Sequence, residues 1–237
     1  MTEEDIQDDK TKTFGMVSIL NPKLEMINIH NFVFNPWQEN TYVIYGPSKE
    51  CVIIDAGCLL ESEEQKLYRF IVDNGLMVKH VLNTHLHIDH IFGNAFVQEK
   101  FNQTTKAHKD DLFLIEDSMC IAKQMRVELP NRPPDPEVFI DEPEIIECSD
   151  FKLNVLHVPG HTPGHLVYYL KEMDTLFTGD VLFHESIGRT DFPYGNHNRL
   201  VSGIQSKLMI LPDDTKVYSG HGESTTIGHE KKANPFL

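Results

Sequence analysis

Positive charge is scarce in this sequence. It carries 21 lysines and arginines against 36 acidic residues, a formal net charge of −15. Binding to a phosphate backbone rests on neutralisation by basic side chains, so nucleic acid is not expected as a partner. Cysteine is also sparse: Cys51, Cys58, Cys120 and Cys148 are the whole complement, and no two of them stand in CxxC spacing. That excludes a CxxC-type metal or redox motif and predicts reduced, mostly buried thiols in a reducing compartment. Long apolar runs are missing. The first twenty residues are dense in charge, so neither a secretory leader nor a spanning helix is expected, and the protein is read as soluble and cytoplasmic with no membrane partner. No internal repeat is present.

Histidine, by contrast, is plentiful, with thirteen residues of which several lie close together. At 237 residues the chain falls between one and two typical domains, a size that α/β folds often reach as one unit. A chain of this length buries roughly three quarters of the surface exposed when unfolded, so stability requires neither disulfides nor a structural metal. Any metal site is free to serve chemistry.

Residues 1–25 are acidic and polar and read as an extension expected to be disordered, with one domain over 26–237. The runs MINIHNFVF, TYVIYG and CVIIDAG predict successive strands, with Pro36 and Pro47 in the breaks. The pattern Ser62-Glu63-Glu64-Gln65 reads as a capping box, followed by Leu67, Phe70 and Ile71 at helical spacing and a stop at Asn74-Gly75. VKHVLNTH then returns as a strand parallel to CVIIDAG, and His85 sits at its carboxyl end, where sites in such sheets lie. Residues 93–126 read as helical around a short TTKAH strand, and PNRPPDP as a loop. VFIDE, FKLNVLHV, HLVYYL and TLFTGD make a second strand-rich stretch, followed by a helix near 198–209 and a strand at KVYSG.

The chemistry concentrates in His85-Leu86-His87-Ile88-Asp89-His90. Residues two apart on an extended chain point to one side, so His85 and His87 can grip one ion together. As the chain turns, Asp89 and His90 become available to a second. Imidazole and carboxylate suit zinc and similar divalent ions. His161, Asp180 and His221 each follow a predicted strand and can converge on the same sheet edge. A carboxylate such as Asp180 has two oxygens and can bridge two ions about 3.5 to 4 Å apart with a nucleophilic hydroxide between them, so no activated Ser or Cys is required. His157 and His165 read as hydrogen-bonding residues of the third motif. His30, His80, His108, His184, His197 and His229 read as ordinary surface or core residues. Asp55 ends a buried strand and is either an orienting partner for a ligand imidazole or a loop cap.

HLHIDH, GHTPGH, TGD and GHG together resemble the signature set of the metallo-β-lactamase superfamily, over residues 26–237. The resemblance implies an α/β fold, an αββα sandwich with the metal site at one edge of its two sheets. It also implies His85, His87 and His161 on one ion, Asp89, His90 and His221 on the other, and Asp180 between them, with Asp89 and Asp180 in the catalytic machinery. NPWQENTYVI, NTHLHIDHIFGN, GDVLFHESIGRTDFP and GHGESTTIGHEKKANPFL are most similar to the short glyoxalase II-like hydrolases. They imply hydrolysis of a small-molecule thioester with two divalent ions, zinc first and iron or manganese as alternatives. Arg189 occupies the position of a basic glutathione contact in the longer enzymes; its other reading is a solvated loop arginine. Asp191 stands where those enzymes have an aromatic contact, and the chain has only a short segment beyond His221 where they add a helical region, so glutathione specificity does not simply carry over. Alternatives within the same fold are a persulfide dioxygenase with a single iron and a lactonase. A non-catalytic binding module is disfavoured by the intact ligand set, and a true β-lactamase by Asp180.

Overall fold

The computed structural model describes residues 27–129 and 131–237, so the extension expected at residues 1–25 lies outside the described residues. Strands β1 (Asn28–Phe34), β2 (Glu39–Tyr45) and β3 (Glu50–Ile54) pair as an antiparallel meander. Helix α1 (Glu61–Asp73) carries the chain back to β4 (Met77–Leu82), which runs parallel to β3 as the βαβ pattern requires. Helices α2 (Ile88–Ile91) and α3 (Asn94–Phe101) precede β5 (Thr105–Ala107), and α4 (Leu112–Met125) precedes β6 (Val138–Phe139); both strands extend the sheet in parallel. The VFIDE segment therefore closes the first sheet, whereas the sequence pattern grouped it with the second. Its neighbour in space is β5, and that pairing is invisible in local periodicity.

The second sheet begins with β7 (Ile145–Glu147), β8 (Lys152–His157), β9 (Leu166–Leu170) and β10 (Thr175–Gly179), all antiparallel. A small hairpin follows, β11 (Leu182–Phe183) with β12 (Ser186–Ile187). Helix α5 (His197–Gly203) continues into a wider turn at Ile204–Leu208, and β13 (Lys216–Ser219) then pairs parallel to β10. Strand β14 (Thr225–Thr226) and helix α6 (Ile227–Ala233) complete the described chain. No described helix is long and apolar enough to cross a membrane.

The helix α1 start differs from the sequence expectation. The N-cap is Leu60, and Glu63, not Ser62, satisfies the free amides: its carboxylate accepts from Leu59 and Leu60 N–H at 2.8 and 3.0 Å. A glutamate at the third helical position reaches back over the first turn, whereas Ser62 already lies inside it. The stop is where Asn74-Gly75 places it, with Gly75 at φ +62°.

Strand alternation then builds the layers. Tyr42, Ile44, Val52, Ile54 and Leu82 of the first sheet face Leu153, Val155, Leu166, Tyr168 and Phe177 of the second in one buried cluster. The opposite faces are also covered: Val43 and Ile53 pack with Leu67 and Ile71 of α1 and Phe96 of α3, while Val167, Leu176 and Val217 pack with Leu200 of α5 and Ile227 of α6. The result is the αββα sandwich. The four thiols are free, with Cys51 and Cys58 buried, Cys148 half-buried and Cys120 exposed. Ile44 is fully buried between the sheets. Ile44→Ala is expected to lower the unfolding free energy by about 2–5 kcal/mol through lost transfer and a cavity, measured by urea denaturation; a loss within error would place Ile44 outside the working core.

Candidate metal centre

All seven candidate ligands come together where strands of both sheets end. His85 and His87 follow β4, and Asp89 and His90 occupy the short helix α2. His161 sits in the loop from β8 to β9, Asp180 directly after β10, and His221 two residues past β13. Two trios form. In the first, His87 Nδ1 lies 3.0 Å from His85 Nε2 and 2.9 Å from His161 Nε2. In the second, His221 Nε2 lies 3.2 Å from His90 Nε2 and 3.3 Å from Asp89 Oδ2. Asp180 stands between them. Its Oδ2 faces His161 Nε2 at 3.5 Å, and its Oδ1 faces His90 Nε2 at 3.4 Å and His221 Nε2 at 3.8 Å.

The outward nitrogens of His85, His90, His161 and His221 are already engaged, which turns the other nitrogen of each ring inward. His161 Nδ1–H donates to the Arg189 carbonyl at 2.8 Å, and His221 Nδ1–H donates to the Trp37 carbonyl at 3.0 Å. His90 Nδ1–H donates to Asp55 Oδ2 at 3.1 Å. His85 Nδ1–H meets Thr84 Oγ1 at 3.1 Å, a hydroxyl whose own proton goes to Asp55 Oδ2. The inward nitrogens of His85 and His161 thus turn lone pairs toward His87 Nδ1, while those of His90 and His221 face the carboxylates of Asp180 and Asp89. Asp180 Oδ1 is buried with no hydrogen-bond partner. A Cβ on Gly220 would stand 2.4 Å from that oxygen and 2.7 Å from His90 Cε1, so only glycine leaves the cradle open. Converging lone pairs, an orphaned carboxylate oxygen and a glycine-lined cradle fit divalent cations.

The electrostatics agree. Burial pushes His85 well down and His87 down to about 3, with neighbouring rings adding to it; His161 is lowered by burial too. These rings are neutral near pH 7, as ligation requires. Burial opposes charge on His90 as well, yet Asp180, Asp89 and Asp55 hold it well above the usual histidine range. Asp180 is held far below the usual carboxylate range because His90 and His161 outweigh its burial. The cavity asks for positive charge between its carboxylates.

Of the two open readings for Asp55, the structure places it behind a candidate ligand: it accepts the Thr84 N–H at 2.7 Å as well as the His90 Nδ1–H. His165 is off both trios. Its Nε2 accepts the Asp180 N–H at 3.1 Å, its Nδ1–H donates to the Leu166 carbonyl, and its ring stacks on His85, so it positions Asp180 and His85 from behind. His157 donates to the Pro163 carbonyl, a loop role as expected. Arg189 is exposed at the rim with its guanidinium in a bidentate pair to Asp191 at 2.6 and 2.7 Å and lying over the Phe192 ring, which abuts His87. Three of the histidines read as ordinary are not isolated: His184 and His229 group with Glu185 on the surface, and His108 groups with Asp141 and His157.

Sequence reasoning missed Thr84, Asn40 and Asp111. Asn40 Nδ2–H donates to the carbonyls of Ser219 and Gly222, which bracket His221. Asp111 receives Thr162 Oγ1–H at 2.7 Å and Gly164 N–H at 2.6 Å, locking the loop that carries His161. Asn40 and Asp111 are brought to their loops only by the fold, while Thr84 directly precedes HLHIDH and its role shows only once Asp55 is beside it.

A two-sheet sandwich with helices on both outer faces and a buried His/Asp centre at one edge defines a metallohydrolase-type protein. A model of the Metallo-beta-lactamase superfamily matches residues 34–221, and the chain belongs to that superfamily. Hydroxyacylglutathione hydrolase GloC of Haemophilus influenzae is 39% identical over 215 residues, 89% of this chain and 98% of that protein. Among solved structures, the BLEG-1 B3 metallo-beta-lactamase superposes with a TM-score of 0.80 at 34% identity, covering 89% of this chain and 99% of that one. TTHA1623 in a di-iron-bound form gives 0.77 at 34% identity, covering 88% and 100%.

Asp55→Asn would turn an amide N–H toward His90 Nδ1 and reverse the tautomer, removing the inward lone pair. Metal retention against a chelator is expected to fall about 10- to 100-fold; unchanged retention would refute the orienting role. Burial pushes Asp111 up to about 6. Its folded value exceeds the unfolded one of roughly 3.9, so its contribution to stability is present below that value and is lost as pH rises from about 4 to about 6. Comparing wild type with Asp111→Asn by denaturation across that range should show this downward slope only in wild type, and equal slopes would overturn the assignment.

Proposed function

We propose that this protein is a dinuclear metal-dependent thioesterase of glyoxalase II type, cleaving a small S-acyl thiol such as S-lactoylglutathione. The observation that carries the reading is Asp180, whose two carboxylate oxygens face opposite trios, the arrangement a bridging ligand needs. His85, His87 and His161 would hold one ion and Asp89, His90 and His221 the other. Zinc is the first choice, and the di-iron form of TTHA1623 keeps iron in view alongside manganese. When bound, such ions supply Lewis acidity that brings the pKa of water from about 15.7 to about 7 and polarises a carbonyl.

The chain's own residues do the rest. Asp180 and Asp89 are the carboxylates nearest the reacting space, and the Asp89 carboxylate can accept the proton released by the water that attacks the thioester carbonyl, the C–S bond then breaking to free the thiolate. A thiol leaving group with a pKa near 8.5 departs as thiolate, so no strong general acid is required. Cys58 is no nucleophile: burial pushes its thiol far up. Arg189 can pair with a carboxylate of the thiol carrier by exchanging Asp191 for it, and Phe192 offers an apolar face beside His87. The protein would work as a cytoplasmic enzyme on a small-molecule substrate, with neither nucleic acid nor membrane as partner. The GloC relative's name supports the same substrate class.

The test is thiol release from S-D-lactoylglutathione by the zinc-loaded protein. Asp180→Ala should lose an ion and lower kcat/KM by more than about 100-fold, beyond what an outer-shell substitution costs. Arg189→Ala should raise KM with kcat little changed. Absence of thiol release, with oxygen consumed by the iron-loaded protein on a persulfide or with lactone opened instead, would overturn the thioesterase reading.

A further inference from the structure

We infer that His184, Glu185 and His229 form a second cation site, on the surface and separate from the buried centre, for a divalent transition ion of the zinc class. Glu185 Oε1 lies 3.0 Å from His229 Nε2 and 3.7 Å from His184 Nε2. These separations bracket the roughly 3.4 Å expected between ligands of a tetrahedral shell with bonds of about 2.1 Å. His184 Nδ1 lies 2.8 Å from Glu223 Oε1, with its Nε2 turned toward Glu185. A carboxylate beside the far nitrogen is the usual support for a ligand histidine.

The backbone beneath is built for this. His184 and Glu185 are the two loop residues between β11 and β12, and Glu185 has φ +54°. The second position of such a turn normally takes glycine or asparagine. A glutamate there meets a conformational cost that turn formation alone does not explain, and its side chain is the one aimed at His229. Fully buried Glu230 accepts the Glu185 N–H at 2.9 Å and the Thr225 hydroxyl at 2.6 Å. That ties the hairpin tip to α6, the helix carrying His229, so both ligand-bearing segments are held in register. Both imidazoles line an open depression of about 450 Å³ together with Lys216, Tyr218, Glu223 and Thr225, leaving room for water on the ion's free side. Two imidazoles with one carboxylate select zinc, nickel, cobalt or copper over calcium or magnesium, which require oxygen shells.

The test compares bound zinc per chain, by atomic emission after dialysis of the holoprotein at micromolar zinc, in wild type, Glu185→Gln, His229→Gln and the control His197→Gln. Wild type and His197→Gln should hold the same number of ions, and the two site variants one fewer. The difference does not depend on how many ions the buried centre takes. Equal zinc content in all four proteins would overturn the proposal. Wild-type crystals soaked in zinc should give an anomalous peak between Glu185 Oε1 and the two Nε2 atoms; its absence at saturating zinc would overturn it as well, whether or not the variants fold.

Discussion

Asp180 turns one carboxylate oxygen toward His161 and the other toward His90 and His221, and the architecture is arranged to keep it there. A buried carboxylate oxygen without a hydrogen-bond partner is costly, of the order of 1–3 kcal/mol or more for a charged group, unless a cation answers it. The fold tolerates that cost because the surrounding sheets, not the site, supply stability. The apolar layer between them is continuous from Tyr42 to Phe177, and the helices seal both outer faces.

The site's rigidity comes from hydrogen bonds one step out. Asp55 serves Thr84 and His90 together, His165 holds the Asp180 amide, Asp111 clamps the loop of His161, and Asn40 ties that of His221 to β2. Each tie joins segments far apart in the chain. Together they hold the segments that carry the candidate ligands in place relative to one another.

The rim is constructed differently. Arg189 has its guanidinium on Asp191 and Phe192, all within three residues, while its carbonyl anchors His161 inside. One residue thereby links the exposed lip to the buried centre, which is why the IGRTDF segment matters to both. The outer hairpin that follows Asp180 shows the same economy, with Glu230 holding its tip against α6.

Much of this was legible from residue order. Alternating apolar runs marked the strands β1 to β4 and β8 to β10, Asn74-Gly75 marked the end of α1, and the HLHIDH pattern marked ligands two apart on an extended chain that then turns. Those signals are local, because strand alternation, helix stops and ligand spacing act over a few residues. Tertiary structure alone decided that VFIDE joins the first sheet and that Asp55 serves His90. It alone brought His229 to His184 and Glu185. These depend on which distant segments meet, and pairing between residues tens of positions apart leaves no periodic trace in the chain.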